Sequence, residues 1–305
     1  DVLFSAEAVK IALLNLGHEV IEIPINSSKD ITTANWMQFD KVFNLVESID
    51  GLSSKEMLFP AFLDLINVKY TGSPSNAIAN TCNKILTKQI LIANNIGTPN
   101  YLTINLDLDI SLFKLRDLNF PIIIKPANED ASLGITKDSV IYQKDIFHIL
   151  KQVRYIHSEF NQPALIEEFI QGREFNVSLL ELNGELIVLP VAELIFKKTK
   201  ACIPNICSYD GKWKEGSDEY QLSMPSFEFD LSDDVLSNMK QTCKQAFRLL
   251  GLKGYGRVDL RLRGKDIFIL ELNANPCISP DVGFVKASAK FNFTYEDMLS
   301  KIIKI

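Results

Sequence analysis

The sequence predicts an α/β fold with more than one domain, and three observations predict it. Helix and strand periodicities alternate over residues 1–82, the pattern of a parallel sheet with helices on its faces. From Glu174 onward the texture changes, and strands follow one another through short turns. A chain of 305 residues is also long for one compact domain and typical of two or three.

Residues 5–16 read as a helix: Val9, Ala12, Leu13 and Leu16 fall on one stripe, Ser5 can cap it, Glu7 suits its first turn and Gly17 ends it. Residues 19–25 (EVIEIPI) and 41–46 read as strands, 55–66 as a helix and 68–71 as a short strand. A parallel sheet whose first visible element is a helix implies a further strand, expected upstream of Asp1. These elements make an N-terminal Rossmann-like unit over residues 1–82. Residues 83–95 form a helix closed by Gly97 and Pro99. Strand 101–105, short helix 111–118, strand 121–125, a glycine-bearing loop, a strand, helix 143–160 and strand 164–169 complete a central α+β unit, 83–171. In the last unit, 172–305, strands 175–182 and 186–193 flank Asn183-Gly184, the strongest short hairpin signature. Residues 197–218 are polar and aperiodic, a long surface loop of the kind that carries function. Helix 232–250, strands 256–263 and 267–273, and helix 295–303 follow.

The apolar fraction is 47% and the charged fraction 23%, which excludes disordered, collagenous and mucin-like chains. No apolar run is long enough to span a membrane. The formal charge is −6 with no basic block, so nucleic acid is not an expected partner. Five scattered cysteines without a CxxC pair, and no signal peptide at the N-terminus, fit a cytoplasmic address better than a disulfide framework. HExxH, Cys/His zinc spacing, GxSxG and the Walker A loop are absent.

Chemistry gathers at three places. In the first, Arg257, Asp259 and Arg261 share one face of strand 256–263, opposite Val258, Leu260 and Leu262. Glu271 and Asn273 share a face of the next strand, opposite Phe268, Leu270 and Leu272. A three-residue loop, Gly264-Lys265-Asp266, would set Asp259 opposite Glu271 and Arg257 opposite Asn273. A two-residue loop would put the carboxylates on opposite faces. Two carboxylates and an amide oxygen suit Mg²⁺; a solvated strand face with an incidental salt bridge is the plainer reading. Glu271 lies inside the apolar run IFILELNANP, where an unassigned charge is costly. The second place is PIIIKPANEDASLG, residues 121–134, where Lys125 ends a buried-looking strand before a loop with Ser132 and Gly134. A lysine with backbone N–H groups can hold a polyphosphate. The third is ALIEEFIQGREF, residues 164–175, where Glu167 and Glu168 precede apolar residues at a junction that could edge a purine or simply hinge.

These stretches, with LGHEV at 16–20, VKYTGSPSNAIANTCNKILTKQIL at 68–91 and GYGRVDLRLRGKDIFILELNANP at 254–276, resemble the ATP-grasp superfamily in its D-alanine–D-alanine ligase-like branch. The resemblance covers the chain from Ser5 on and implies a ligase that uses ATP and Mg²⁺, with Mn²⁺ as a substitute. By matching position, Lys84 and Lys125 would contact phosphates under the loop around Ser132. Glu167, Glu168 and the backbone at Phe169 and Ile170 would edge adenine, and Glu174 the ribose. Asp259, Glu271 and Asn273 would hold the metal, Arg257 would stabilise charge on the reacting group, and Lys214 would reach the γ-phosphate. The implied reaction activates a carboxylate as an acyl phosphate, which an amine then displaces to form an amide.

The sequence departs from the branch where amino acids bind. Ala131 and Glu215 stand where the branch has a serine and a tyrosine, and Cys277, Val282 and Gly283 replace its Pro-Gly and serine-bearing pattern. The expectation is therefore a ligase joining amino-acid-like small molecules other than two D-alanines. A divergent D-alanine–D-alanine ligase and a non-catalytic nucleotide-binding scaffold are the alternatives, and a homodimer is an assembly open to it.

Overall fold

The computed structural model describes residues 2–106, 118–197, 204–214, 216–217, 219–220 and 222–305, with the side chains at 212 and 213 excepted. The helix expected over 111–118 falls almost wholly outside these residues, as do Cys202 and Glu215.

Helix α1 (Val2–Asn15) buries Val9, Ala12 and Leu13 and stops at Gly17, whose φ of 86° suits a residue without a Cβ. Ser5 is not its cap. The helix begins earlier, and the Ser5 hydroxyl is buried against Ser279. Leu16 belongs to the exposed side. Helices α2 (Ser28–Thr33), α3 (Leu58–Leu65), α4 (Ser75–Cys82) and α5 (Lys84–Ala93) follow. The parallel polarity expected here is present as one bridge: the Val42 N–H donates to Lys69 O at 2.8 Å, and the Thr71 N–H to Val42 O at 3.0 Å. Residues 19–25 form no ladder among the described residues, because a strand exists only beside a paired neighbour.

The first sheet contains β1 (Tyr101–Ile104), β2 (Ile122–Pro126), β3 (Val140–Ile141) and β4 (Ala164–Glu168), in the antiparallel order β1-β4-β2-β3. Helix α6 (Ile146–Phe160) lays Ile149, Val153 and Ile156 on Ile122, Ile124 and Ile166. Alternation along the strands leaves Ile123, Lys125 and Glu167 on the face away from α6.

The second sheet contains β5 (Arg173–Leu182), β6 (Glu185–Val188) and β7 (Ala192–Phe196), joined beyond helix α7 (Tyr209–Trp213) by β8 (Ser223–Ser226). After helix α8 (Asp233–Leu249) come β9 (Tyr255–Arg263) and β10 (Asp266–Asn273), then helices α9 (Gly283–Lys290) and α10 (Tyr295–Lys304). The order is β10-β9-β5-β7-β8, with β6 paired to β5 through the expected Asn183-Gly184 turn. Met239, Cys243, Ala246 and Phe247 of α8 pack on Phe175, Val177, Val258, Leu260 and Leu272. A second core joins α1 to α9 and α10 through Leu13, Phe284, Met298 and Ile302. The loop expected over 197–218 therefore carries a short helix. The sequence reading also missed α2, α4, α9 and β8, and its single strand over 186–193 is two, β6 and β7.

The β9–β10 hairpin reaches the expected pairing by a different route. Arg263 pairs with Asp266, so the turn holds two residues, Gly264-Lys265, and not three. The register then shifts between Ile269 and Glu271, making Leu270 a bulge. That extra residue restores the phase: Asp259 faces Glu271, and Arg257 faces Asn273. Phe268, expected opposite the carboxylates, instead pairs with Arg261 on their side, because it precedes the bulge.

Candidate active site

The face of the second sheet away from α8 is polar across three strands. Glu174, Asn176 and Ser178 of β5 pair with Arg261, Asp259 and Arg257 of β9, which pair in turn with Phe268, Glu271 and Asn273 of β10. Arg257 grips Asp259 through two bonds, at 2.7 and 2.9 Å, and Asn176 donates to the same carboxylate at 2.7 Å. Burial opposes the Arg257 charge, but Asp259 outweighs it and holds the guanidinium above its ordinary pKa. Arg261 donates twice to Glu174, at 2.9 and 2.6 Å, and to the Ile170 and Asn205 carbonyls, while lying 4.4 Å over the Phe169 ring.

Helix α5 delivers lysines to this face. Asn83 caps it, accepting the Leu86 N–H at 3.0 Å, and Lys84 opens it. The Lys84 ammonium donates to the Glu129 carbonyl and lies 3.4 Å from Asp130 and 3.6 Å from Glu271. Burial alone would depress its pKa; the Asp130 and Glu271 carboxylates outweigh burial and raise it. One concavity is lined by Lys84, Lys125, Glu129, Ser132 and Glu271, so residues from both sheets meet there. Ala131 and Ser132 both take left-handed backbone, at φ 53° and 65°, in the loop that forms its rim.

Lys125 and Glu167 meet at 2.6 Å on the face of the first sheet away from α6. A third partner escaped the sequence reading: Lys88, one helical turn after Lys84, lies 2.8 Å from the other Glu167 oxygen. Burial would raise the Glu167 pKa, yet the two lysines hold it below its ordinary value. The spacing Lys84-x-x-x-Lys88 was the available signal, because residues four apart share a helix face.

Some expected residues stand elsewhere. Strand alternation turns the Glu168 carboxylate away from Glu167, where it accepts two bonds from Asn119, at 3.1 and 2.7 Å. The Phe169 N–H is used by Pro121 O at 2.8 Å, and the Ile170 carbonyl by Arg261 at 2.8 Å. Lys214 is exposed beside Asp210 at 3.2 Å, outside the cluster. Cys277 lines a second concavity with Ser5, Glu47 and Asn275, and its Sγ lies 3.3 Å from the Ser279 hydroxyl. Val282 and Gly283 start α9 and do not line either concavity. Asn275, also missed, accepts from the Tyr255 hydroxyl at 3.1 Å and donates to Val46 O and to buried Glu56, both at 3.0 Å. Burial pushes the Glu56 carboxyl well above the usual range.

The donors of Asp259, Glu271 and Asn273 are all oxygens, which fits a hard divalent cation. Among the described residues no group of three or more Asp, Glu, His or Cys converges on a metal position. A cation here would draw on two carboxylates, the Asn273 amide, and oxygens from substrate or water. Arg257 and Asn176 orient Asp259, and the Asn275 N–H holds the Asn273 amide oxygen at 2.9 Å.

Two antiparallel sheets thus meet across a cluster of lysines and carboxylates. Residues 105–304 match the family described as D-ala D-ala ligase C-terminus. The chain belongs to the D-alanine–D-alanine ligase family and is an ADP-forming ATP-grasp ligase. It is similar to a D-alanine--D-alanine ligase of Carboxydothermus hydrogenoformans, 27% identical over 99% of this chain and 92% of that protein. It is 30% identical to one from Pseudothermotoga lettingae, over 98% and 92%. The fold matches that of a Bacillus anthracis D-alanine--D-alanine ligase with a TM-score of 0.80 at 18% identity, covering 99% of this chain and 91% of the other; that enzyme is also solved complexed with ATP. Among the described residues no helix is long and apolar enough to cross a membrane.

Proposed function

We propose that the protein joins a carboxylate to an amine at the expense of ATP, acting on amino-acid-like substrates other than a pair of D-alanines. One observation carries the ATP part: Lys84, on the helix that opens the central unit, stands 3.6 Å from Glu271 at the end of the bulged strand, in a concavity shared with Lys125 and Ser132. The unit boundaries that go with this reading are 1–82, 83–171 and 172–305.

Lys84 and Lys125 hold the polyphosphate beneath the loop at Ser132. Glu167, held between Lys125 and Lys88, and the backbone groups of Phe169 and Ile170 that Pro121 and Arg261 do not use edge the adenine, and Glu174, fixed by Arg261, faces the ribose. Asp259, Glu271 and Asn273 would hold Mg²⁺, which when bound neutralises phosphate charge. A substrate carboxylate oxygen attacks the γ-phosphorus and ADP leaves, forming an acyl phosphate. A deprotonated amine then attacks the acyl carbon, and inorganic phosphate departs with the C–O electron pair. Arg257, aimed by Asp259, stabilises the oxyanion of that step. Phosphate release from ATP across a panel of amino acids tests the reaction, and no stimulation by any of them would favour a scaffold.

The narrower substrate reading rests on residues. Ala131 has no hydroxyl for an amino-acid ligand, and neither Val282 nor Gly283 can supply one. Two hydrogen bonds lost to charged groups, each worth roughly 1.5–3 kcal/mol, would lower kcat/KM for D-alanine by about two to four orders of magnitude. With ATP, Mg²⁺ and millimolar D-alanine, mass spectrometry is expected to show little dipeptide. Robust D-alanyl-D-alanine would instead establish the second reading, a divergent D-alanine–D-alanine ligase.

Lys214 is proposed to move from Asp210 toward the γ-phosphate when ATP binds. Hydrogen exchange is then expected to slow across residues 205–218 on adding an ATP analogue, and unchanged protection would count against it.

A further inference from the structure

The Lys88 ammonium is almost fully enclosed, at 1% side-chain exposure, and its surroundings are specific. It lies 2.8 Å from Glu167, donates to the Thr98 hydroxyl at 2.8 Å and to Pro99 O at 3.4 Å, and sits 5.6 Å from the centre of the Tyr101 ring. Thr98 passes the connection on, donating to the Ile269 carbonyl at 2.8 Å, while the Ile269 N–H donates to Gly97 O at 2.8 Å. Ile269 is the last residue before the bulge that turns Glu271 into the site. A Cβ on Gly97 would stand 2.2 Å from the Ile267 carbonyl oxygen, so the two segments are in direct backbone contact. Lys88 thus ties the carboxylate of the first sheet to the strand of the second that carries Glu271.

The charge arithmetic gives that position a role. Glu167 is shared by two lysines, Lys125 on one oxygen at 2.6 Å and Lys88 on the other at 2.8 Å. Two ammonium groups and one carboxylate leave one positive charge. Without Lys88 the carboxylate would turn wholly to Lys125 and the pair would be neutral. Burying a third charge is expensive unless it is used, and burial already pulls the Lys88 pKa down to about 8.

We propose that Lys88 is a positioning residue for nucleotide binding: by engaging one oxygen of Glu167 it prevents that carboxylate from neutralising Lys125, and so preserves a positive charge for the polyphosphate. It acts through Glu167 and Lys125 and touches no substrate itself. The proposal rests on the reading that ATP occupies this concavity.

Calorimetric titration of the intact protein with MgATP tests it without knowledge of the amino-acid substrates. Lys88→Met is expected to weaken ATP binding by about 10- to 100-fold, the effect of one unit charge several ångströms away at an effective dielectric near 20. Lys88→Gln, which keeps a hydrogen-bonding group for Thr98 while removing the charge, is read in the same way and serves if the Met variant does not fold. The double variant Lys88→Met/Glu167→Gln frees Lys125 again and is expected to bind ATP at least about tenfold more tightly than Lys88→Met alone, a recovery of affinity that a merely structural role would not produce. Wild-type affinity in both single variants, or a double variant no better than the single, would overturn the inference. A wild-type protein that does not bind ATP at all would overturn the functional reading instead.

Discussion

Glu271→Gln is expected to lower kcat by at least about 100-fold while leaving the fold intact, the scale on which removal of one preorganised electrostatic group acts. Glu271 lies at the end of β10, beside Lys84 and opposite Asp259. The substitution keeps shape and removes a charge, so the two sheets should still pack. Two effects combine in the loss. A neutral amide is a poorer ligand for a hard cation. It also leaves Lys84 with Asp130 as its remaining carboxylate partner in the cluster, at 3.4 Å. Steady-state ADP release, with circular dichroism as the control for folding, measures the change. Turnover within threefold of wild type would remove Glu271 from the site.

Arg261→Met is expected to cost about 3–5 kcal/mol of stability, the scale on which removing one partner of a buried ion pair acts. Arg261 is 3% exposed and Glu174 8%, and the guanidinium also serves the carbonyls of Ile170 and Asn205. Those carbonyls belong to the junction between the sheets and to the segment before α7, so both should loosen together. The double variant Arg261→Met/Glu174→Leu replaces both buried charges of the pair by apolar groups and should recover much of the loss. Urea unfolding followed by circular dichroism decides it. A single variant within 1 kcal/mol of wild type would show that the pair contributes little.

The parts of this site legible in the sequence are those governed by strand alternation. Arg257, Asp259 and Arg261 had to share a face because they are spaced by two in a strand with Val258, Leu260 and Leu262 between them. Glu271 and Asn273 were assigned to that face correctly, but from a three-residue loop that the fold does not contain. Bulges leave little trace in composition, and Leu270 looks like any other apolar residue of the run. Lys88 was overlooked for a related reason. A lysine on a helix is ordinarily solvated, and only the tertiary placement of Glu167, 79 positions later, shows why this one is enclosed. Helix α1 was readable from its stripe, whereas ladders in the N-terminal unit depend on neighbours that local periodicity cannot supply.

The bulge at Leu270 also separates two kinds of variation in the hairpin. Upstream of it, the ladder from Ile269 to the Gly264-Lys265 turn is fixed by that turn; downstream, Glu271 and Asn273 are held by their own pairing with Asp259 and Arg257. The tip is exposed, and a Cβ on Gly264 would meet nothing within 4 Å. Changes of length at the tip can therefore be absorbed above Ile269 without turning the carboxylates over, and loss of the bulged residue at 270 would leave Ile269 and Glu271 still paired with Leu260 and Asp259; entry of Leu270 into the ladder opposite Asp259 is what would invert both. Counting residues from the turn is for that reason an unsafe way to transfer site positions between relatives, and counting back from Asn273 is a safer one.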